Sequence, residues 1–120
     1  MENKKYIHKK LAAGRWFQLS FAEQMGNIGS EVGRACLAQN NNLVRFDGAV
    51  LRALDLFDLT LADERWRGRR FELARARELF CAASLGQDMY ETSLADLERY
   101  FMQFAMAIAL RRDAIFRNAK

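Results

Sequence analysis

Apolar residues recur along this chain in steps of three and four, and that spacing constrains the fold more than any other feature. Phe17, Phe21, Met25, Ile28, Val32 and Cys36 fall within a sector about 100° wide on a helical wheel. They predict a first helix from Gly14 to Gln39. The run Asn40-Asn41-Asn42 then breaks the pattern, because Asn favours turns and helix ends. A second helix is predicted from Val44 to Ala62, with Phe46, Val50, Leu54, Phe57 and Leu61 on its inner face. A charged connection, Asp63 to Arg70, surrounds the single Gly68. The third helix covers Arg69 to Leu85, with Leu73, Ala76, Phe80 and Ala83 on one side, and Gly86 stands where a helix ends in a C′ glycine. Ser93 is placed as the N-cap of a fourth helix, with Asp96 at N3. That helix runs to about Phe116 and carries Leu97, Phe101, Phe104, Ala105 and Ile108 on one face. Arg111, Arg112, Arg117 and Lys120 lie near its C-terminus, where the helix dipole favours cations.

Four helices with short links specify an all-α, single-domain, antiparallel up-down-up-down four-helix bundle over residues 14–120, preceded by a flexible basic arm over residues 1–13. A chain of 120 residues is long enough for one core, and 51% hydrophobic residues argue against disorder. Proline is absent, which suits helices joined by short connections. No apolar run approaches the roughly 20 residues of a membrane span. The N-terminal MENKKYIHKK has no apolar stretch behind it, so no signal peptide is expected and a cytoplasmic protein is. Cys36 and Cys81 belong to no Cys-x-x-Cys pair; free thiols are the preferred reading and a disulfide the alternative.

Gly26, Gly29 and Gly33 raise a choice between a phosphate-cradling loop and a helix that a neighbour approaches closely. A phosphate fingerprint needs a preceding strand and Gly-x-Gly-x-x-Gly, and neither is present. Steps of three and four are helical steps, so these glycines, with Ala22, form a strip without side chains beside the apolar seam. Each costs roughly 1 kcal/mol of helix propensity relative to Ala, which packing has to offset. The strip therefore predicts helix packing at Gly26, Gly29 and Gly33, with a kink or a ligand approach as alternatives.

Glu23, Gln24, Asn27, Glu31 and Arg34 form a polar stripe read as opposite the seam, either a solvated face or a polar site or subunit contact. On the second helix Asp47, Asp55 and Asp58 border the core. Clustered carboxylates can hold Mg²⁺, so Glu31, Asp55 and Asp58 define one enzymatic alternative, a Mg²⁺-dependent nucleotide hydrolase. A di-iron bundle needs Glu-x-x-His pairs, and the only histidine is His8, in the arm. No serine has a histidine nearby in sequence, and no cofactor motif is present. The strongest charge feature is Arg65, Arg67, Arg69 and Arg70 around Trp66. Guanidinium groups fork onto phosphates and an aromatic stacks on unpaired bases, so this patch is the candidate nucleic-acid surface. The plainer reading is a solvated helix start whose Trp66 folds back into the core, with Glu64, Glu72 and Glu78 diluting the charge. The net charge of +4 is compatible with either.

The fourth helix has more apolar positions than one face needs. Met102, Met106 and Leu110 fall on a second side, with Ala109 beside them. A helix apolar on two sides is buried twice, once in its own bundle and once against a partner, so these residues are the candidate oligomer interface.

The stretch Glu23-Gln24, Asn27-Ile28-Gly29-Ser30-Glu31-Val32 resembles a group of short bacterial helical proteins sharing an EQxxNIGSEV-type motif. Trp16, the run Asp58 to Asp63, Arg67-Gly68-Arg69 and Leu97-Glu98-Arg99-Tyr100-Phe101 resemble the same group, over most of the chain after Gly14. That group carries no assigned activity, so the resemblance implies none. In size, charge and helical plan alone the chain also resembles the accessory variability proteins of diversity-generating retroelements and the bundle proteins encoded in rRNA intervening sequences. Those are basic, oligomeric and associated with RNA or reverse transcriptase. The combined expectation is a non-catalytic, oligomeric accessory or scaffold protein without cofactor, engaging RNA or a nucleoprotein partner; a purely structural assembly unit is the remaining alternative.

Overall fold

The computed structural model describes residues 14–87 and 91–118, and no strand occurs among them. A short 3₁₀ turn, Trp16–Gln18, precedes α1 (Phe21–Ala38) and α2 (Leu43–Leu61). A 3₁₀ helix, Glu64–Arg69, leads into α3 (Arg70–Ser84), and α4 (Leu94–Asn118) completes the chain. The basic arm over residues 1–13, His8 included, lies outside the described residues.

The first helix starts later than its apolar period suggests. Leu19 is extended, and Ser20 caps α1 in a reciprocal box: its hydroxyl accepts from the Glu23 N–H at 3.1 Å while its own N–H donates to Glu23 Oε1 at 2.9 Å. Such a box satisfies two otherwise orphaned donors and so favours a start at Ser20 over continuation from Gly14. Phe17 keeps the apolar period because the 3₁₀ turn still rests on the core.

The other ends follow local chemistry. Asn40 takes a left-handed backbone, φ 78°, and Asn42 caps α2 by accepting from the Arg45 N–H. Gly86, at φ +72°, sends its N–H to the Ala83 carbonyl while Gln87 bonds Ala82, the 5→2 and 6→1 pair of a Schellman end. Ser93 and Asp96 repeat the reciprocal cap at the start of α4.

In the packed structure α1 lies against both α2 and α4, and α3 closes the remaining side more lightly against those two helices. Phe57 joins three helices at the centre, its ring 5.9 Å from both Phe80 and Phe101. The expected inner face of α2 is shifted. Phe57 is buried, but Phe46, Val50, Leu54 and Leu61 are only partly so; Ala49, Ala53, Leu56 and Thr60 form the fully enclosed line. Small side chains on that line let the neighbouring backbone come close, which a count of large apolar residues does not register.

Candidate functional site

The glycine strip faces α4. A β-carbon on Gly29 would stand 2.6 Å from Phe101 Cβ, closer than two carbons can approach. Phe101 therefore rests directly on the α1 backbone. Gly33 lies under the Glu98 carboxylate and Gly26 beside the Ile108 methyl. No open turn occurs at these positions, since all three sit inside α1.

The stripe read as opposite the seam divides. Glu23, Asn27 and Arg34 are exposed, whereas Gln24 is wholly buried and Glu31 nearly so. Both buried residues flank the seam on the side of α2. Glu31 receives Arg52 at 3.1 Å and pairs with Arg34. Gln24 is the hub of a buried network. Its amide N–H groups donate to the Trp16 carbonyl at 2.9 Å and to Asp63 Oδ2 at 3.0 Å, and its Oε1 accepts from the Trp66 indole at 2.9 Å. Trp16 donates its indole N–H to the Thr60 hydroxyl at 3.1 Å. Asp63 in turn holds Arg65, whose guanidinium reaches the Leu19 carbonyl at 2.7 Å. Burial alone would push the Asp63 carboxyl up, but donation from Arg65 and Gln24 outweighs it and holds Asp63 below the usual carboxylate range. A network satisfied at each of these atoms fixes the 3₁₀ turn, α1 and the α2–α3 connection in one arrangement. Sequence reasoning missed Gln24 as a buried residue. The signal was present: it sits on the wheel beside Phe21 and Ile28, one turn from each.

The candidate nucleic-acid residues are drawn into the same arrangement. Trp66 is half-buried, edge-on to Phe21 at 5.2 Å, with its N–H committed to Gln24 and Arg65 lying 4.4 Å over its ring. Arg67 and Arg70 both pair with Glu64 at 2.8 Å, Arg70 also donating to the Leu61 carbonyl. Arg69 pairs with Glu72 and lies 3.9 Å over the Phe21 ring. Phe71, which the sequence reading did not single out, stands 93% exposed beside them. It precedes Arg75 by four residues within α3, so those two share one face of that helix.

Two of the three carboxylates of the enzymatic alternative are engaged with arginines. Asp58 takes Arg77 at 3.0 Å and Glu31 takes Arg52, while Asp55 is buried. Among the described residues no group of three or more His, Cys, Asp or Glu side chains is placed to hold a metal ion. Cys36 and Cys81 are free thiols, and burial, with the charge of Glu98, pushes the Cys36 thiol up, away from reactivity.

Met102, Met106 and Leu110 are 54%, 57% and 65% exposed, on the side of α4 away from buried Leu97, Phe101 and Phe104. Past Ile108 the helix has no buried residue; Ile115 and Phe116 are also exposed. No helix among the described residues is long and apolar enough to cross a membrane, so this apolar excess is not that of a span. Comparisons with protein-family models, with curated proteins and with solved structures return no match to this chain.

Proposed function

We propose that the protein is a non-catalytic helical scaffold that self-associates through the outer face of α4. The observation that carries this reading is the row Met102, Met106 and Leu110, all more than half exposed on a helix whose opposite face is already packed. Large apolar side chains in one contiguous row are a liability on a monomer and an asset at a protein contact. The reading includes an antiparallel up-down order of the helices: along α1 the α4 partners fall in number, from Ile108 at Gly26 to Phe101 at Gly29 and Glu98 at Gly33, which supports it. Light scattering on the purified chain, followed from micromolar to millimolar concentration, tests self-association. The expected result is a mass that is a multiple of 13.9 kDa; a chain that stays monomeric throughout refutes it.

A second reading is favoured by Phe71. An aromatic ring open to solvent, with Arg70 next to it and Arg75 one turn further along α3, offers one stacking platform near phosphate-binding groups, Arg67 among them in the preceding turn, the chemistry that unpaired RNA or DNA uses. The exposed Arg67–Glu64 pair is weak, so a phosphate can displace the carboxylate. In this reading the scaffold carries single-stranded nucleic acid, and Arg65, Arg69 and Trp66 hold the platform in place. Binding to a labelled single strand should weaken with salt, with Phe71→Ala and with Arg67→Ala plus Arg70→Ala. Binding that ignores both salt and these substitutions, or no binding at all, removes it.

A further inference from the structure

We infer that two copies of this chain pair through α4 in antiparallel, two-fold fashion with Met106 on the axis; this rests on the self-association proposed above and specifies its register. The outward face of α4 carries Ala95, Arg99, Met102, Met106, Leu110, Asp113 and Arg117, and their spacing of four, three, four, four, three and four residues reads the same in both directions. A symmetric pair needs a surface that complements itself under reversal, and this one does. Centring on Met106 sets it against its own copy. Met102 then meets Leu110 of the second copy, and Ala95 meets Arg117.

The charges obey the same register. Arg99 falls opposite Asp113, and the two-fold repeats that pair at the other end of the row. Acid thus meets base at both ends of the apolar row. Arg99 is paired with Asp96 along its own helix, leaving further donors for a second carboxylate. Asp113 and Arg117 are exposed and form no ion pair among the described residues. A parallel pairing in register would set Arg99 on Arg99 and Asp113 on Asp113, which like-charge repulsion disfavours. The contact also clears the bundles: the face used lies opposite buried Leu97, Phe101 and Phe104, so the two cores stay on opposite sides of the seam. From Ala95 to Arg117 the shared helix is about 33 Å long. Met at the centre packs adaptably against its own image, and Ala109 on the margin allows close approach.

Site-directed cross-linking reads the register directly. In a chain with Cys36→Ala and Cys81→Ala, Met106→Cys should oxidise to a covalent dimer. Met102→Cys alone and Leu110→Cys alone should not, whereas a mixture of those two should. Single reversal at Arg99→Asp or at Asp113→Arg should weaken dimerisation roughly tenfold by placing like charges together, and the double reversal should restore it. A dimeric mass without the Met106→Cys cross-link and without rescue by the double reversal overturns this register while leaving self-association standing. A monomeric mass at every concentration overturns both. Circular dichroism of each variant separates lost pairing from lost folding.

Discussion

Among the three glycines of α1, what matters is which atom each one meets. Gly29 meets Phe101 Cβ, an atom fixed by the α4 backbone. Gly33 meets only the end of the flexible Glu98 side chain, and Gly26 is in ordinary contact with Ile108. Gly29→Ala should therefore lose about 1–3 kcal/mol through overpacking, despite alanine's better helix propensity. Gly33→Ala has the same propensity gain of about 1 kcal/mol and only a mobile carboxylate to move, so it should be neutral or stabilising. Urea denaturation compares the two; equal and same-signed shifts would rule out this division. The strip itself was legible from helical spacing. That only Gly29 is pinned was not, because the wheel gives direction from the axis and says nothing of the distance to the next helix.

The connection between α2 and α3 shows the same limit for a whole element. Its charge left two readings, a nucleic-acid surface or a solvated helix start with Trp66 folded back into the core. Trp66 does pack against the core, and the segment is a 3₁₀ helix tied down also at Asp63 and Arg65, because those residues reach α1 and the turn before it. Asp63 gives this tie a pH dependence. Its pKa is lower in the folded chain than in the unfolded one, so its stabilisation is present above the ordinary carboxylate range, about pH 4, and is lost as pH falls through the folded value. Asp63→Asn should cost about 2–3 kcal/mol at neutral pH, from the buried partners it leaves weakly held. The gap to the parent chain should narrow as the pH is lowered below 4. Chemical denaturation at pH 7 and near pH 3 checks this, and a gap that does not change with pH would contradict the assignment.

For the molecule as a whole, the surplus of apolar positions on the last helix carries the most functional weight. Reading Met102, Met106 and Leu110 as a second face required no coordinates, since Phe101 and Phe104 already account for the first. The placement of the Arg65–Arg70 surface did require them: its guanidiniums are distributed over Asp63, Glu64 and Glu72, and the open aromatic there is Phe71 and not Trp66. By itself the sequence determined that the chain is all-helical, where α2, α3 and α4 fall to within a few residues, that α3 ends at Gly86 and that Ser93 caps α4. These are properties of local spacing and of side chains bonding their own backbone. Only the tertiary structure decided which flank of α1 takes α2 and which takes α4, that Gln24 belongs inside, and that the arginines are spent on neighbours. Those outcomes depend on atoms distant in sequence being brought within bonding reach, and periodicity along one helix holds no information about that distance.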